Sequence, residues 1–199
     1  MTKIRFSVTE IWHLAVALVA ISIAFSIVIV GVRDFKGFLN GVLLSCLTAG
    51  IGFLFHEISH KIIAQRYHCM AEFRADFTML AIAIALSFTG FIFAAPGAVL
   101  ISGQLRRDQN GKISLAGPLS NMIIAIIFLA LGFFFSPMEN IARFGFTINS
   151  WLAFFNLFPF QNFDGKKVYQ WNKTIYFILL VISVVMVFVY FAIIAQKMV

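Results

Sequence analysis

The sequence predicts an all-α polytopic membrane protein: a single domain of five to six transmembrane helices with one re-entrant or irregular element. Three observations predict it. The 199 residues are 61% hydrophobic, with a mean hydropathy of +0.96, where soluble domains run at about 45–50% apolar. The apolar excess falls in blocks of roughly 20 residues, the length a helix needs to cross about 30 Å of hydrocarbon. The 15 Lys and Arg lie mainly in the short stretches between blocks, where such residues set topology.

The first span covers residues 11–32, after Lys3 and Arg5. It is too long for a signal-peptide core and has no convincing small-residue cleavage site, so it is expected to be retained. A charged turn, 31–37, leads to a second span at 38–63. Residues 61–76 are polar, and alternation around 70–77 suggests a small strand. Residues 78–102 are apolar but interrupted by Thr89-Gly90 and Ala95-Pro96-Gly97, which signal turns. Residues 103–112 read as a charged loop containing Asn110-Gly111, a hairpin-type dipeptide. The next span is 115–135, followed by a short loop at 136–147. Residues 149–163 form a short apolar segment ending at Asp164, residues 166–173 are polar, and the last span is 174–195. No repeat or separate soluble domain is visible.

Charge decides how 78–102 is treated. If this segment dips into the membrane and returns, 11 Lys and Arg fall on one face and 4 on the other. If it crosses once, the split is 7 to 8. The re-entrant path obeys the positive-inside rule and makes the richer face cytoplasmic. It also brings the end of 149–163, and so Asp164, to the same face as the C-terminal end of the 38–63 span. Irregular backbone at that depth is permitted where protein or a water-filled cavity covers it.

The chain carries a net charge of +7. Once the spans are removed no compact basic domain remains, which argues against nucleic-acid binding. Cys46 and Cys69 give no disulfide framework and are expected to stay reduced. Trp12, Trp151 and Trp171 lie near the proposed interfaces and read as membrane anchors.

The pattern that carries chemistry is His56-Glu57-Ile58-Ser59-His60, near the end of the second span. On a helix, positions i and i+4 share a face. Both imidazoles can therefore converge on one tetrahedral Zn²⁺. Glu57 is turned about 100° away from His56, which suits a carboxylate that takes a proton from water beside the metal. A chance match in this composition is roughly one in several hundred. A charged side chain near the bilayer centre costs about 2.5–3.5 kcal/mol on insertion scales, and a metal compensates such a cluster. Zinc hydrolases take three protein ligands and keep one position open. Asp164 is the best-placed further acid, on a stretch broken by Asn156 and Pro159, although an Asp at a helix end is commonly just a loop residue. His13 and His68 are not expected to be ligands.

His56-Glu57-Ile58-Ser59-His60 together with Asn156-Leu157-Phe158-Pro159-Phe160-Gln161-Asn162-Phe163-Asp164-Gly165 resembles the paired motifs of the site-2 protease family of intramembrane zinc metalloproteases. Ala116-Gly117-Pro118-Leu119-Ser120-Asn121 resembles that family's intervening Gly-Pro-x-x-Asn motif. The resemblance covers about 51–171, in the right order, and the short chain resembles minimal archaeal members. It implies one zinc held by His56, His60 and Asp164, Glu57 as catalytic base, and Asn121 and Asn156 as polar groups near the scissile peptide. For Asn121 the plain reading, a helix-to-helix hydrogen bond, is set ahead of an oxyanion role. It implies a transmembrane protein as substrate, a multi-pass place in the cell membrane and a site opening to the cytoplasm. Asn162-Phe163 and Lys166 depart from the usual Pro-Leu before the Asp and second Gly after it; they spare the ligands and bear on substrate fit. The alternatives are a prenyl-protein protease, expected to use a Glu as third ligand, and a metal transporter or non-proteolytic helix-binding relative. Inverted repeats, usual in transporters, are absent from the sequence.

Overall fold

The computed structural model describes residues 4–92, 96–160 and 163–195. Helix α1 (Val8–Val30) starts where Ser7 Oγ accepts the Glu10 N–H at 3.1 Å, and stops at Gly31 with φ +76°. Asp34 caps α2 (Phe35–Ser45) by accepting the N–H groups of Lys36 and Gly37. A π-turn at Cys46–Gly50 carries α2 into α3 (Ile51–Arg66). The result is one rod of 32 residues, Phe35–Arg66, which contains the expected 38–63 span.

Strand β1 (Met70–Ala75) follows, then α4 (Phe77–Ser87), then strand β2 (Gly97–Ser102). The two strands pair antiparallel, with Met70 opposite Ser102 and Ala75 opposite Gly97. The Asp76 N–H also donates to Pro96 O at 3.0 Å. The chain therefore comes back at residue 97 to the place it left at residue 75. The small sheet departs from an all-helical fold. It forms because the two ends of the excursion satisfy each other's backbone. Of the breaker expected at 95–97, Ala95 lies outside the described residues. Gly97, at φ +148°, lets the hairpin close: a Cβ there would sit 2.8 Å from Ala75 Cα.

Helix α5 (Arg107–Phe134) contains the expected 115–135 span but begins earlier. The expected 103–112 loop is helical from Arg107. The Arg106 N–H, capped by Gln109 Oε1 at 3.0 Å, starts the helix, and Gly111 packs directly against the Trp171 ring. Helix α6 (Glu139–Asn156) replaces the loop expected at 136–147, after a tight turn at Ser136–Met138. Helix α7 (Asp164–Trp171) forms from most of the polar stretch expected at 166–173, and α8 (Lys173–Ala195) follows it. Among the described residues three helices are long and apolar enough to cross a membrane: α1, the Phe35–Arg66 rod and α5. The Lys173–Val189 segment of α8 and helix α4 are shorter apolar helices.

Two packed clusters position the site. Leu14, Ala17 and Ile21 of α1 meet Phe53 of α3, Phe73 of β1 and Leu80 of α4. Met122, Ala125 and Phe128 of α5 meet Phe146 and Ala153 of α6 and Met186 of α8. Where lipid surrounds helices, small residues permit close approach and packing replaces the hydrophobic drive. The α5–α6 pair uses Gly132, where a Cβ would lie 2.9 Å from Ala142 Cβ, and Gly145, which faces the Phe128 ring. Gly145→Val is expected to overpack this crossing and destabilise by about 1–3 kcal/mol, read as a lowered thermal midpoint of the detergent-solubilised protein.

Candidate metal centre

Helix α3 holds His56 and His60 on the face turned toward α5, and the N-terminus of α7 presents Asp164. His56, Glu57, His60 and Asp164 are all buried, between 7% and 8% exposed. His56 Nε2 and His60 Nε2 lie 3.0 Å apart. Asp164 Oδ2 lies 3.3 Å from the first and 3.0 Å from the second. The three residues form the one group with metal-ligand geometry among the described residues, and His13 and His68 stand outside it.

The far sides of the rings fix their protonation. His60 Nδ1 faces the backbone carbonyl of Ile113 at 2.7 Å, and a carbonyl only accepts, so Nδ1 carries the hydrogen. His56 Nδ1 faces Asn121 Oδ1 at 2.7 Å. The orientation of that carboxamide is forced, because Asn121 Nδ2 donates to Gly52 O at 3.0 Å and to Asn149 Oδ1 at 3.1 Å. With both rings neutral, as metal ligation requires, both Nε2 atoms are left with lone pairs, pointing at each other and at a carboxylate oxygen. Three acceptors with no hydrogen between them repel unless a cation joins them. Donors about 2.0–2.2 Å from one tetrahedral ion sit about 3.3–3.6 Å apart, close to the spacing found. The donor set therefore fits a zinc ion.

A curated protein is similar over most of the chain. Over 181 residues, 88% of this chain and 91% of the relative, the sequence is 39% identical to a Methanocaldococcus jannaschii protein named "Putative zinc metalloprotease MJ0611". The chain belongs to the site-2 protease family of zinc metalloproteases. No family model matches the chain, and no solved structure matches it.

In this site-2 protease the space for the ion is kept open by Gly117 of α5. A Cβ there would lie 2.6 Å from His56 Nε2 and would crowd His60 Nε2 as well. The next residue, Pro118, lacks the N–H that Ser114 O would otherwise accept, so the helix is loosened one turn from where Ile113 O turns to His60. Asp164 is set by an equally close approach: Gly165 packs on the carbonyl of Leu157, which is itself fully buried. The loop before Asp164 carries Pro159; Gln161 and Asn162 lie outside the described residues.

The two asparagines fall in different places. Asn121 is fully buried with both ends of its carboxamide engaged. It stands behind His56, and its hydrogen bonds run across to α3 and α6, as in the plain reading of an inter-helix asparagine. Asn156 is half-buried at the end of α6 and donates back to Leu152 O at 2.9 Å. Asn149 was missed by sequence reasoning. It is fully buried, donates to Gly145 O at 2.9 Å and to the π-turn carbonyl of Thr48 at 3.4 Å, and accepts from Asn121. An amide in the middle of an apolar helix was the available signal. Ile113, which acts through its backbone, gave none.

Outer partners of metal-bound histidines typically contribute 10–100-fold to affinity. Asn121→Leu is expected to weaken zinc binding by about 10–100-fold in a chelator competition. Gly117→Ala is expected to leave the helical circular dichroism unchanged while zinc content, measured by mass spectrometry, falls well below one per chain.

Proposed function

We propose that this site-2 protease is an intramembrane zinc endopeptidase of the cell membrane, holding one zinc per chain and hydrolysing peptide bonds of transmembrane protein substrates. The observation that carries this reading is the convergence of three acceptor atoms on α3 and α7, with a second buried carboxylate, Glu57, beside them. His56, His60 and Asp164 would hold the ion, and the ion would polarise the scissile carbonyl and acidify water. Glu57 takes the proton from the attacking water and returns it to the leaving amine. Its place suits the task. It is one residue past His56 and so points off the ligand face, and the Val99 backbone N–H reaches its carboxylate.

That contact also ties the base to strand β2. A peptide bond inside a transmembrane helix is shielded by its own hydrogen bonds, so a substrate must be extended before it is cut. A free strand edge beside the base can hold an extended backbone by strand addition. Asn156, at the end of α6, is assigned to contact with that backbone. Asn121 acts behind His56, holding the ring that binds the ion.

The topology that fits this chemistry has five full spans, with the β1–α4–β2 excursion as the re-entrant element. The return of the chain from Ala75 to Gly97 supports it, as does the 11-to-4 division of Lys and Arg. The richer face is the cytoplasmic one, and the site opens toward it. Lys3 and Lys197, one on each side of that count, lie outside the described residues.

The test is cleavage of a model single-span substrate by purified protein in lipid, with zinc measured in the same samples. Glu57→Gln is expected to keep one zinc per chain and lose turnover by at least about 10²-fold, the low end of a general base's contribution. Asp164→Ala is expected to lose both zinc and activity. Normal turnover in Glu57→Gln refutes the base, and full zinc in Asp164→Ala refutes the ligand set.

A further inference from the structure

Strand β1 has a neighbour on each side, and only one of them is a strand. Glu10, at the start of α1, is fully buried. Its Oε1 accepts the Phe73 N–H at 2.9 Å and its Oε2 takes the ammonium of Lys61 of α3, also buried. Three residues along α1, His13 Nδ1 accepts the Ala75 N–H at 3.0 Å. Gln65 of α3 donates to Ala71 O at 3.4 Å, and its carboxamide also exchanges hydrogen bonds with the backbone of Arg5, at 3.1 and 3.2 Å. Residues 71, 73 and 75 thus direct their backbone groups away from β2, and side chains from two helices take them in turn.

The pairing then fixes the other side. In an antiparallel ladder, residues opposite each other point the same way with respect to the pair, inward or outward. Ile101, Val99 and Gly97 stand opposite Ala71, Phe73 and Ala75. Their backbone groups point out from the far edge of β2, where Val99 meets Glu57. One edge of the sheet is closed by side chains, and the other is turned to the catalytic carboxylate.

We infer that Glu10, His13 and Gln65 are positioning residues, which close the outer edge of β1 and thereby fix the depth and register at which the edge of β2 receives a substrate backbone. This rests on the protease reading and adds what sets the substrate's register. A buried ion pair makes a firm anchor, since separating its partners leaves an uncompensated charge. Lys61 directly follows the ligand His60, so the anchor joins the sheet to the helix that carries the metal group. A slip of one residue would exchange the inward and outward backbone groups and take the Val99 N–H away from Glu57.

The test uses the full chain loaded with zinc, in nanodiscs. The probe is a fluorescent peptide containing one transmembrane helix, bound in a Glu57→Gln background so that no cleavage is needed. His13→Leu removes the acceptor of the Ala75 N–H, and His13→Gln keeps one. Glu10→Leu with Lys61→Met removes the acceptor at Phe73 without stranding a charge, and Glu10→Gln with Lys61→Met restores it. The Leu variants are expected to speed hydrogen exchange at those amides and to raise the peptide Kd about tenfold, the scale of one lost buried hydrogen bond. The Gln variants recover most of both, and zinc content does not move. In the active background the loss falls on KM more than on kcat. Faster exchange with an unchanged Kd overturns the inference, as does unchanged exchange. If the double variant does not fold, the His13 pair decides alone. Failure of the protease reading looks different: wild type leaves the bound peptide uncut while Kd still separates the variants.

Discussion

With both imidazoles neutral, two ring nitrogens and a carboxylate oxygen, each bearing a lone pair, meet at about 3 Å with no hydrogen to share. The rest of the structure depends on keeping them there. In an apolar interior such a group is unfavourable unless a cation binds it, so the fold has to hold the atoms close while preventing their neighbours from supplying a proton. It does so from the outer side of each ring. A carbonyl oxygen at His60 Nδ1 and a carboxamide oxygen at His56 Nδ1 draw both hydrogens away from the centre. The same hydrogen bonds set which way the rings face.

Holding a carboxamide that firmly takes a chain of partners. Asn121 is oriented by Gly52 O and Asn149, and Asn149 by Gly145 O and Thr48 O. The chain ends on backbone carbonyls, which cannot rotate independently of their helices. The orientation of a candidate metal ligand is therefore built into the packing of α3, α5 and α6 and into the π-turn that precedes α3. Glycines make the approach possible: a side chain at Gly52 would displace Asn149, and one at Gly117 would enter the metal group. Here small residues serve to bring polar atoms into contact, as well as the helices that bear them.

Some of this was legible in the sequence. A spacing of four residues on a helix leaves little freedom for His56 and His60, and the charge count placed Asp164 on their face of the membrane before any geometry was known. The structure brings all three together. The loops at 103–112 and 136–147 were misread because local signals competed with tertiary packing. Asn110-Gly111 is a strong turn dipeptide in isolation, yet Gly111 serves as the flat surface on which Trp171 rests, and the helix runs through it. Strand β2 was hidden because Gly97–Ser102 is nearly all apolar, and such a run does not distinguish strand from helix. Ile113 O could not have been found at all, since a backbone acceptor leaves no trace in residue identity.

The same asymmetry separates the two sides of the site. On the α5–α6 side every approach is tight: Gly117 faces the imidazoles, Gly52 faces Asn149, and Gly165 lies on Leu157 O. An extended peptide has no room there without parting helices whose contacts orient the ligands. Beside the base stands the outward edge of β2, which contributes no helix-to-helix contact to the ligand network. An enzyme of this kind needs its ligands rigid and its substrate side yielding, because ligand error of a fraction of an ångström is costly while a substrate must enter and leave. A hairpin anchored at one edge meets both demands. Glu10 and Lys61 tie β1 to the metal-bearing helix, and β2, paired with β1 and packed through Val99 and Ile101 on the helices, turns the backbone groups of Gly97, Val99 and Ile101 outward.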